Sequence, residues 1–193
     1  MNIAGIFVEP RLVEQVYFTM INFFDVLPNN KLYFLCIKDD KNLHLQNIKK
    51  YNLDKYNINI YELNTNNLNF KTYSNLFKSF FMLDKVNEDY ILTIQTDGCL
   101  CKNSKFKIND FLKYDYIGGY SHHRIWWKET NNICNNNEYK CFNGGFSLRN
   151  KKSMIKVLNT FKPQDTVKYY NGCNLEKYAE DLVHLSNYRI YST

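Results

Sequence analysis

Apolar and polar positions along the first half of the chain fall into blocks whose spacing changes in a regular order. "NIAGIFV", Asn2 to Val8, is a short apolar run rich in β-branched residues, and it stops at "EPR". Leu12, Val13, Val16, Tyr17, Met20, Ile21 and Phe24 then recur at helical spacing until "PNN" breaks it. "KLYFLCIK", from Lys31, is almost continuously apolar, as a strand buried on both faces of a parallel sheet would be. A weaker helical pattern from about Asn42 to Tyr51 leads to a third strand around "INIYEL". After the polar "NTNNLN", the spacing predicts one helix from Tyr73 to Val86, through Leu76, Phe77, Phe80, Phe81 and Leu83. A fourth strand, Tyr90 to Ile94, ends in "QTDG". Strands alternating with helices in this way predict a wound α/β sheet.

The second half is less regular. "YDYIGGY" reads as a short strand, "GGFSLR" as another, and "NKKSMIKVLNTF" as a helix with Asn150 at its cap. Between the two strands lies a long polar loop, Ser121 to Lys140, which holds His122, His123 and both tryptophans. Loops of that length in a compact domain usually bind or cover something. A final helix, "LEKYAEDLVHLS", and a C-terminal strand, "YRIYST", complete the prediction. At 193 residues the chain suits one domain, and no linker or repeat divides it.

Wound sheets bind ligands beyond the carboxyl ends of their strands. That rule selects Glu9, Pro10 and Arg11 after the first strand and Gln95 to Gly98 after the fourth. Neither segment is a Gly-rich dinucleotide or phosphate loop. Asp97 fits a Mg2+ or Mn2+ ion, which takes one or two carboxylates and fills its shell with phosphate oxygens. An ordinary Asp-Gly turn is the plainer alternative. The chain has seven glycines, yet two doublets occur, Gly118–Gly119 and Gly144–Gly145. Doublets suit close approach of a ligand to backbone beside Asn143, or a β-bulge. Glu180 and Asp181, adjacent acids on the last helix, offer a general base or merely a solvated face.

Composition changes this picture little. Hydrophobic residues make up 45% and charged residues 23%, as in ordinary globular proteins. Abundant Lys, Asn, Tyr, Ile and Phe match an AT-rich genome, a bias found in large DNA viruses and some protists. Much of the +6 net charge follows from that bias. The lysines are scattered, so a nucleic-acid partner is not expected. The six cysteines show no C-x-x-C pair and are expected to be reduced, although Cys134 and Cys141 could be bridged across an Asn-rich loop. The first residues reach Glu9 too soon for a signal peptide, and no run approaches the roughly 18 apolar residues of a membrane span. The expected location is the cytoplasm, that of a host cell if the source is viral.

Taken in order, "YSNLFKS", "ILTIQTDG", "YDYIGGY", "FNGGFSLRNKKSM" and "EDLVHL" resemble a family of glycosyltransferase-like domains in the GT-A superfamily. The resemblance runs from "IFVEPR" to the acidic pair. It implies a single Rossmann-like α/β domain with a mostly parallel sheet over residues 1–193. About residues 1–100 would bind the nucleotide, and the remainder would bind the acceptor and carry the catalysis. It implies transfer of a sugar from a nucleotide-sugar donor to a hydroxyl of a glycan, protein or small molecule. Asp97 would be the acid that holds Mn2+ or Mg2+, with Gln95 standing where the superfamily has its first acid. Glu9, Arg11, Tyr73, Gln95 and Thr96 would meet the donor nucleotide. Gly118, Gly119, Trp126, Trp127, Asn143, Gly144 and Gly145 would line the sugar and acceptor site. Asp181 or Glu180 would be the base, as in inverting members, and His184 an additional metal ligand. The rival readings are a nucleotidyltransferase on a related scaffold and an inactive carbohydrate- or nucleotide-binding subunit.

Overall fold

The computed structural model describes residues 2–65, 68, 70–77, 79–120 and 142–160. Its centre is a six-stranded sheet made of β1 (Ile3–Val8), β2 (Lys31–Cys36), β3 (Ile58–Glu62), β4 (Tyr90–Ile94), β5 (Tyr116–Tyr120) and β6 (Phe142–Asn150). The strand order is β3-β2-β1-β4-β6-β5. The first four of these positions are parallel, and β6 runs antiparallel to both β4 and β5. Every residue of β1 and β4 is buried, as is all of β2 after Lys31, which explains their unbroken apolar runs. At the edge, β3 is only half-buried, in keeping with its alternation of Ile, Asn and Tyr.

Helices α1 (Gln15–Val26) and α2 (Lys41–Lys50) make the first two crossovers. The chain then passes through α3 (Phe70–Phe77) and α4 (Phe80–Lys85) to β4, on the far side of β1. The order of strands therefore reverses between β1 and β4, and this reversal opens a crevice above their carboxyl ends. The two faces of the sheet alternate residue by residue. Ile3 and Phe7 join Met20, Phe23 and Phe24 of α1 in one core layer. Ala4, Ile6 and Val8 join Met82 and Leu83 of α4 and Met154 in the other. Gly5 belongs to the first face, where an added Cβ would stand 2.8 Å from the Phe23 ring, so its bareness lets α1 lie close.

Two elements differ from the sequence reading. Helix α1 starts at Gln15 rather than Leu12, whose side chain is exposed. The single helix expected from Tyr73 to Val86 is broken: Ser79 is extended, at φ −120° and ψ 159°, and its hydroxyl donates to the Leu76 carbonyl at 2.9 Å. That hydroxyl satisfies a carbonyl at the end of α3 and competes with continued helix. Apolar periodicity spans the break because both pieces face the same core layer. The last described helix, α5 (Lys151–Thr160), begins as expected, with the Asn150 side-chain oxygen accepting from the Ser153 amide at 3.1 Å. Among the described residues Cys36, Cys99 and Cys101 are free, and no helix is long and apolar enough to cross a membrane. The Ser121–Lys140 loop, Cys134, Cys141, the acidic helix and the C-terminal strand lie outside the described residues.

One buried polar chain ties α1 to α2. The Asn47 amide donates to the Tyr17 hydroxyl at 2.9 Å, and that hydroxyl lies 3.0 Å from His44 Nδ1. His44 is fully buried with its edge against Phe34, and its Nε2 has no hydrogen-bond partner. Burial pushes its pKa down, against smaller upward effects of Asp40 and Glu9. Below the ordinary value of 6.5 the unfolded chain therefore takes up a proton that the folded chain refuses. Stability is expected to fall as pH drops from about 7 through this range. Urea unfolding at stepped pH should show that slope, and His44→Leu should flatten it.

Candidate functional site

The crevice between β1 and β4 collects the polar residues that follow those strands. Glu9 continues β1 by one more contact, its amide donating to the Leu35 carbonyl at 3.2 Å. Its carboxylate is 5% exposed and is spent on Arg11, accepting from the backbone amide at 3.0 Å, from Nε at 2.7 Å and from Nη2 at 2.9 Å. This fork fixes both the position and the plane of the guanidinium. The Arg11 side chain is otherwise 65% exposed, so it presents its charge to the crevice. The Thr96 hydroxyl lies 3.4 Å from both Arg11 Nη2 and Glu9 Oε2, which joins the two strand ends. Hydrogen bonding to Glu9, its charge and that of Asp97 raise the Arg11 pKa, outweighing desolvation. Arg11 is a permanent cation here.

Gln95, Thr96, Asp97 and Gly98 form a tight turn, closed by the Gly98 amide on the Gln95 carbonyl at 3.0 Å. The Asp97 side chain is exposed at its tip. Gln95 donates its amide to the Tyr73 hydroxyl at 3.0 Å, and the Tyr73 ring rests 5.2 Å from that of Phe77. Gly98 is bare for a specific reason: an added Cβ would stand 2.8 Å from Cδ2 of Phe146. The turn and β6 therefore touch through a glycine and an aromatic edge.

The glycine doublets meet at a β-bulge. Gly118 pairs with Ser147, but the next residue, Gly119, pairs with Asn143. Gly144, Gly145 and Phe146 thus fall between two positions that are adjacent on β5, and β6 pairs with β4 from Ser147 to Asn150. The bulge lies beside the Asp97 turn, through the approach of Phe146 to Gly98. Arg149 holds it there. Although 2% exposed, Arg149 donates from Nη2 to the Gly144 carbonyl at 3.1 Å and from Nε to the Ser147 hydroxyl at 3.0 Å. Ser147 itself donates to the Gly144 carbonyl at 2.8 Å. The guanidinium lies over the rings of Phe77 at 4.8 Å and Tyr116 at 5.4 Å. A continuous line of contacts runs from Gln95 through Tyr73, Phe77 and Arg149 to Gly144.

Glu9, Arg11, Tyr73, Gln95, Thr96 and Asp97 are therefore gathered at one end of the sheet, with Gly118 and Gly144 at the neighbouring bulge. Asn143 and Gly119 face each other across β5 and β6. Trp126, Trp127, Glu180, Asp181 and His184 lie outside the described residues. The sequence reading missed Arg149, Ser147 and Phe146. Alternation in "FSLR" assigns Ser147 and Arg149 to one side of a strand, which a polar pair makes look solvated. No group of three His, Cys, Asp or Glu side chains surrounds a metal position among the described residues. The donor chemistry of Asp97 fits a Mg2+ or Mn2+ ion completed by phosphate and water, and does not fit an ion caged by protein. Replacing Arg149 by Met should cost about 1–3 kcal/mol, because its hydrogen bonds to the Gly144 carbonyl and the Ser147 hydroxyl are lost. Urea denaturation checks the loss, and Arg149→Lys should recover only part of it.

Among solved structures the fold is similar to two mannosyltransferases. That from Pyrobaculum calidifontis, PcManGT in complex with GDP-Man and Mn2+, is 10% identical with a TM-score of 0.54, over 81% of this chain and 46% of that one. Ktr4p from S. cerevisiae, in complex with GDP, is 8% identical with a TM-score of 0.55, over 96% of this chain and 65% of that one. At such identities the likeness is one of fold, and the fold is of the GT-A glycosyltransferase type. The chain spans less than two thirds of the length of either relative. No curated protein matches it. Residues 57–191 match the family described as "Protein of unknown function (DUF5672)"; that span is more than half of the chain and runs from just before β3 past both glycine doublets, and the chain belongs to that family.

Proposed function

We propose that this protein is a glycosyltransferase that moves a sugar from a nucleotide-sugar donor to an acceptor hydroxyl. The observation that carries the reading is the meeting of an exposed cation, an exposed carboxylate and a backbone bulge at the carboxyl ends of β1 and β4. Arg11, held flat by Glu9, faces the crevice as a bidentate phosphate donor would. Glu9 acts through Arg11 and does not touch the substrate. Asp97 alone would repel a diphosphate, so its place beside the phosphate subsite makes sense with a divalent cation between them. Bound there, Mn2+ or Mg2+ would neutralise the charge that builds on the departing nucleoside diphosphate.

The acceptor oxygen forms its bond to the anomeric carbon as the bond from that carbon to the phosphate oxygen breaks. The hydroxyl proton goes to Asp181, with Glu180 the less favoured base. The bulge at Gly144 and Gly145 presents residues without side chains to the sugar, and Trp126 or Trp127 stacks on its face. The use of a nucleotide sugar draws support from the GDP-Man bound by PcManGT, which is similar in fold. One observation favours a second reading, a binding subunit without catalysis. Gln95 stands where the superfamily has its first acid, and its amide is committed to Tyr73.

Calorimetry of nucleoside diphosphate binding, with and without Mn2+, tests the site. Asp97→Asn should abolish the Mn2+-dependent part while leaving the urea midpoint unchanged. An unaltered Mn2+ dependence would overturn the assignment of Asp97. In a transfer assay with a donor that binds, Asp181→Asn should stop turnover and leave donor affinity intact. Donor binding with no transfer to any hydroxyl acceptor by the unmodified protein would favour the binding subunit.

A further inference from the structure

A second cavity-lined region lies beneath the crevice, on the α1 face of the sheet. The cavity has a volume of about 770 Å³. Its floor is Leu92, Ile117 and Leu148 of three adjacent strands, one wall is Val26 and Leu27 at the end of α1, and its roof is the segment from Cys99 to Phe111. The roof is anchored. Asn22 of α1 both donates to the Leu100 carbonyl at 3.0 Å and accepts from the Leu100 amide at 2.7 Å. The Asp110 carboxylate accepts from the Lys107 amide at 2.7 Å, and the Tyr90 hydroxyl donates to the Leu112 carbonyl. Pinned at both ends in this way, the roof holds the cavity open as a preformed space. Its volume falls within the roughly 300–1,000 Å³ of small-molecule sites, and such sites are mostly apolar with a few polar groups.

Its charged groups are mainly basic. Lys102 and Lys107 line the cavity, with Asp25 the one acid among its described lining residues. Residues 102–113 carry four lysines against one acid, Asp110, which is occupied in capping. Phe106 is 55% exposed beside Lys105, so the roof is apolar and cationic on its outer side too. The cavity also reaches the candidate site. Phe146 and Ser147 of the bulge line it, and Phe146 is the ring that rests on Gly98, next to Asp97.

We propose that this cavity binds the apolar chain of an amphipathic acceptor whose anionic group is met by Lys102 and Lys107. This rests on the glycosyltransferase reading for the word acceptor; the binding itself does not. The acceptor would extend past Phe146 to bring a hydroxyl toward the Asp97 turn, so the acceptor class is an anionic, single-chain amphiphile rather than a free sugar.

The test uses the full chain with octyl and decyl phosphate as probes, below the concentrations at which they form micelles. Calorimetry gives Kd, and alkylation of Cys99 and Cys101, mapped by mass spectrometry, reports occupancy, because both exposed thiols line the cavity. Decyl phosphate should bind more than tenfold tighter than octyl phosphate, at about fourfold per buried methylene. Both probes should protect Cys99 and Cys101. Lys102→Glu with Lys107→Glu should weaken alkyl phosphates at least tenfold and leave octyl glucoside unaffected. Absence of protection, affinity indifferent to chain length, or equal loss for the neutral glucoside would each overturn the proposal. Mn2+-dependent nucleotide binding, measured on the same samples, separates the two readings. If it is retained without amphiphile binding, the cavity proposal alone fails. If amphiphile binding occurs without nucleotide binding, the glycosyltransferase reading fails and the assignment of the ligand as an acceptor falls with it.

Discussion

The parallel pairing of β1 with β4 fixes everything above it. Its register sets Phe7 opposite Ile94, so the residues two steps further on, Glu9 and Thr96, arrive at the same height. The 3.4 Å approach of Thr96 Oγ1 to Glu9 Oε2 follows from that register. Both strands are buried along their whole length, and a shift of one residue would turn each apolar side chain to the opposite layer. The hydrophobic effect thus sets the relative position of groups that are themselves polar. Arg11 needs no long-range partner of its own, because Glu9 is already held at the end of β1 and the fork does the rest.

The same dependence explains which features could be read from the sequence. Strands β1, β2 and β4 were legible because burial on both faces leaves a continuous apolar run, and the rule for strand ends then led to Glu9, Arg11 and Asp97. The break at Ser79 was not legible, since a side chain that bonds to the Leu76 carbonyl leaves apolar periodicity intact. Arg149 was missed for a related reason. Charge in a strand usually signals solvent, and only the three-dimensional neighbours, two aromatic rings and the Gly144 carbonyl, make a buried guanidinium tolerable. The cavity beneath the site had no signal at all, because its lining residues come from five separate stretches of chain.

Charge is arranged in layers across this end of the molecule. Glu9 and Arg11 cancel each other in sum, yet the acid is buried and the base exposed, so the crevice meets mainly the positive member. Asp97 adds a negative point at the tip of the turn, and the lysines of the roof lie on the other side of Phe146. A ligand with two anionic parts and an apolar stretch between them would find the complementary sequence of environments along one path.

The bulge has a consequence for how this site can vary. Because Thr93 pairs with Ser147 on one side and Gly119 with Asn143 on the other, the sheet has a defined register on both sides of the bulge. The stretch between Asn143 and Ser147 is therefore a length that the sheet does not measure. With those two pairs held, a residue gained or lost between them would change the wall beside Asp97. Substrate size can be retuned at that point without refolding the scaffold.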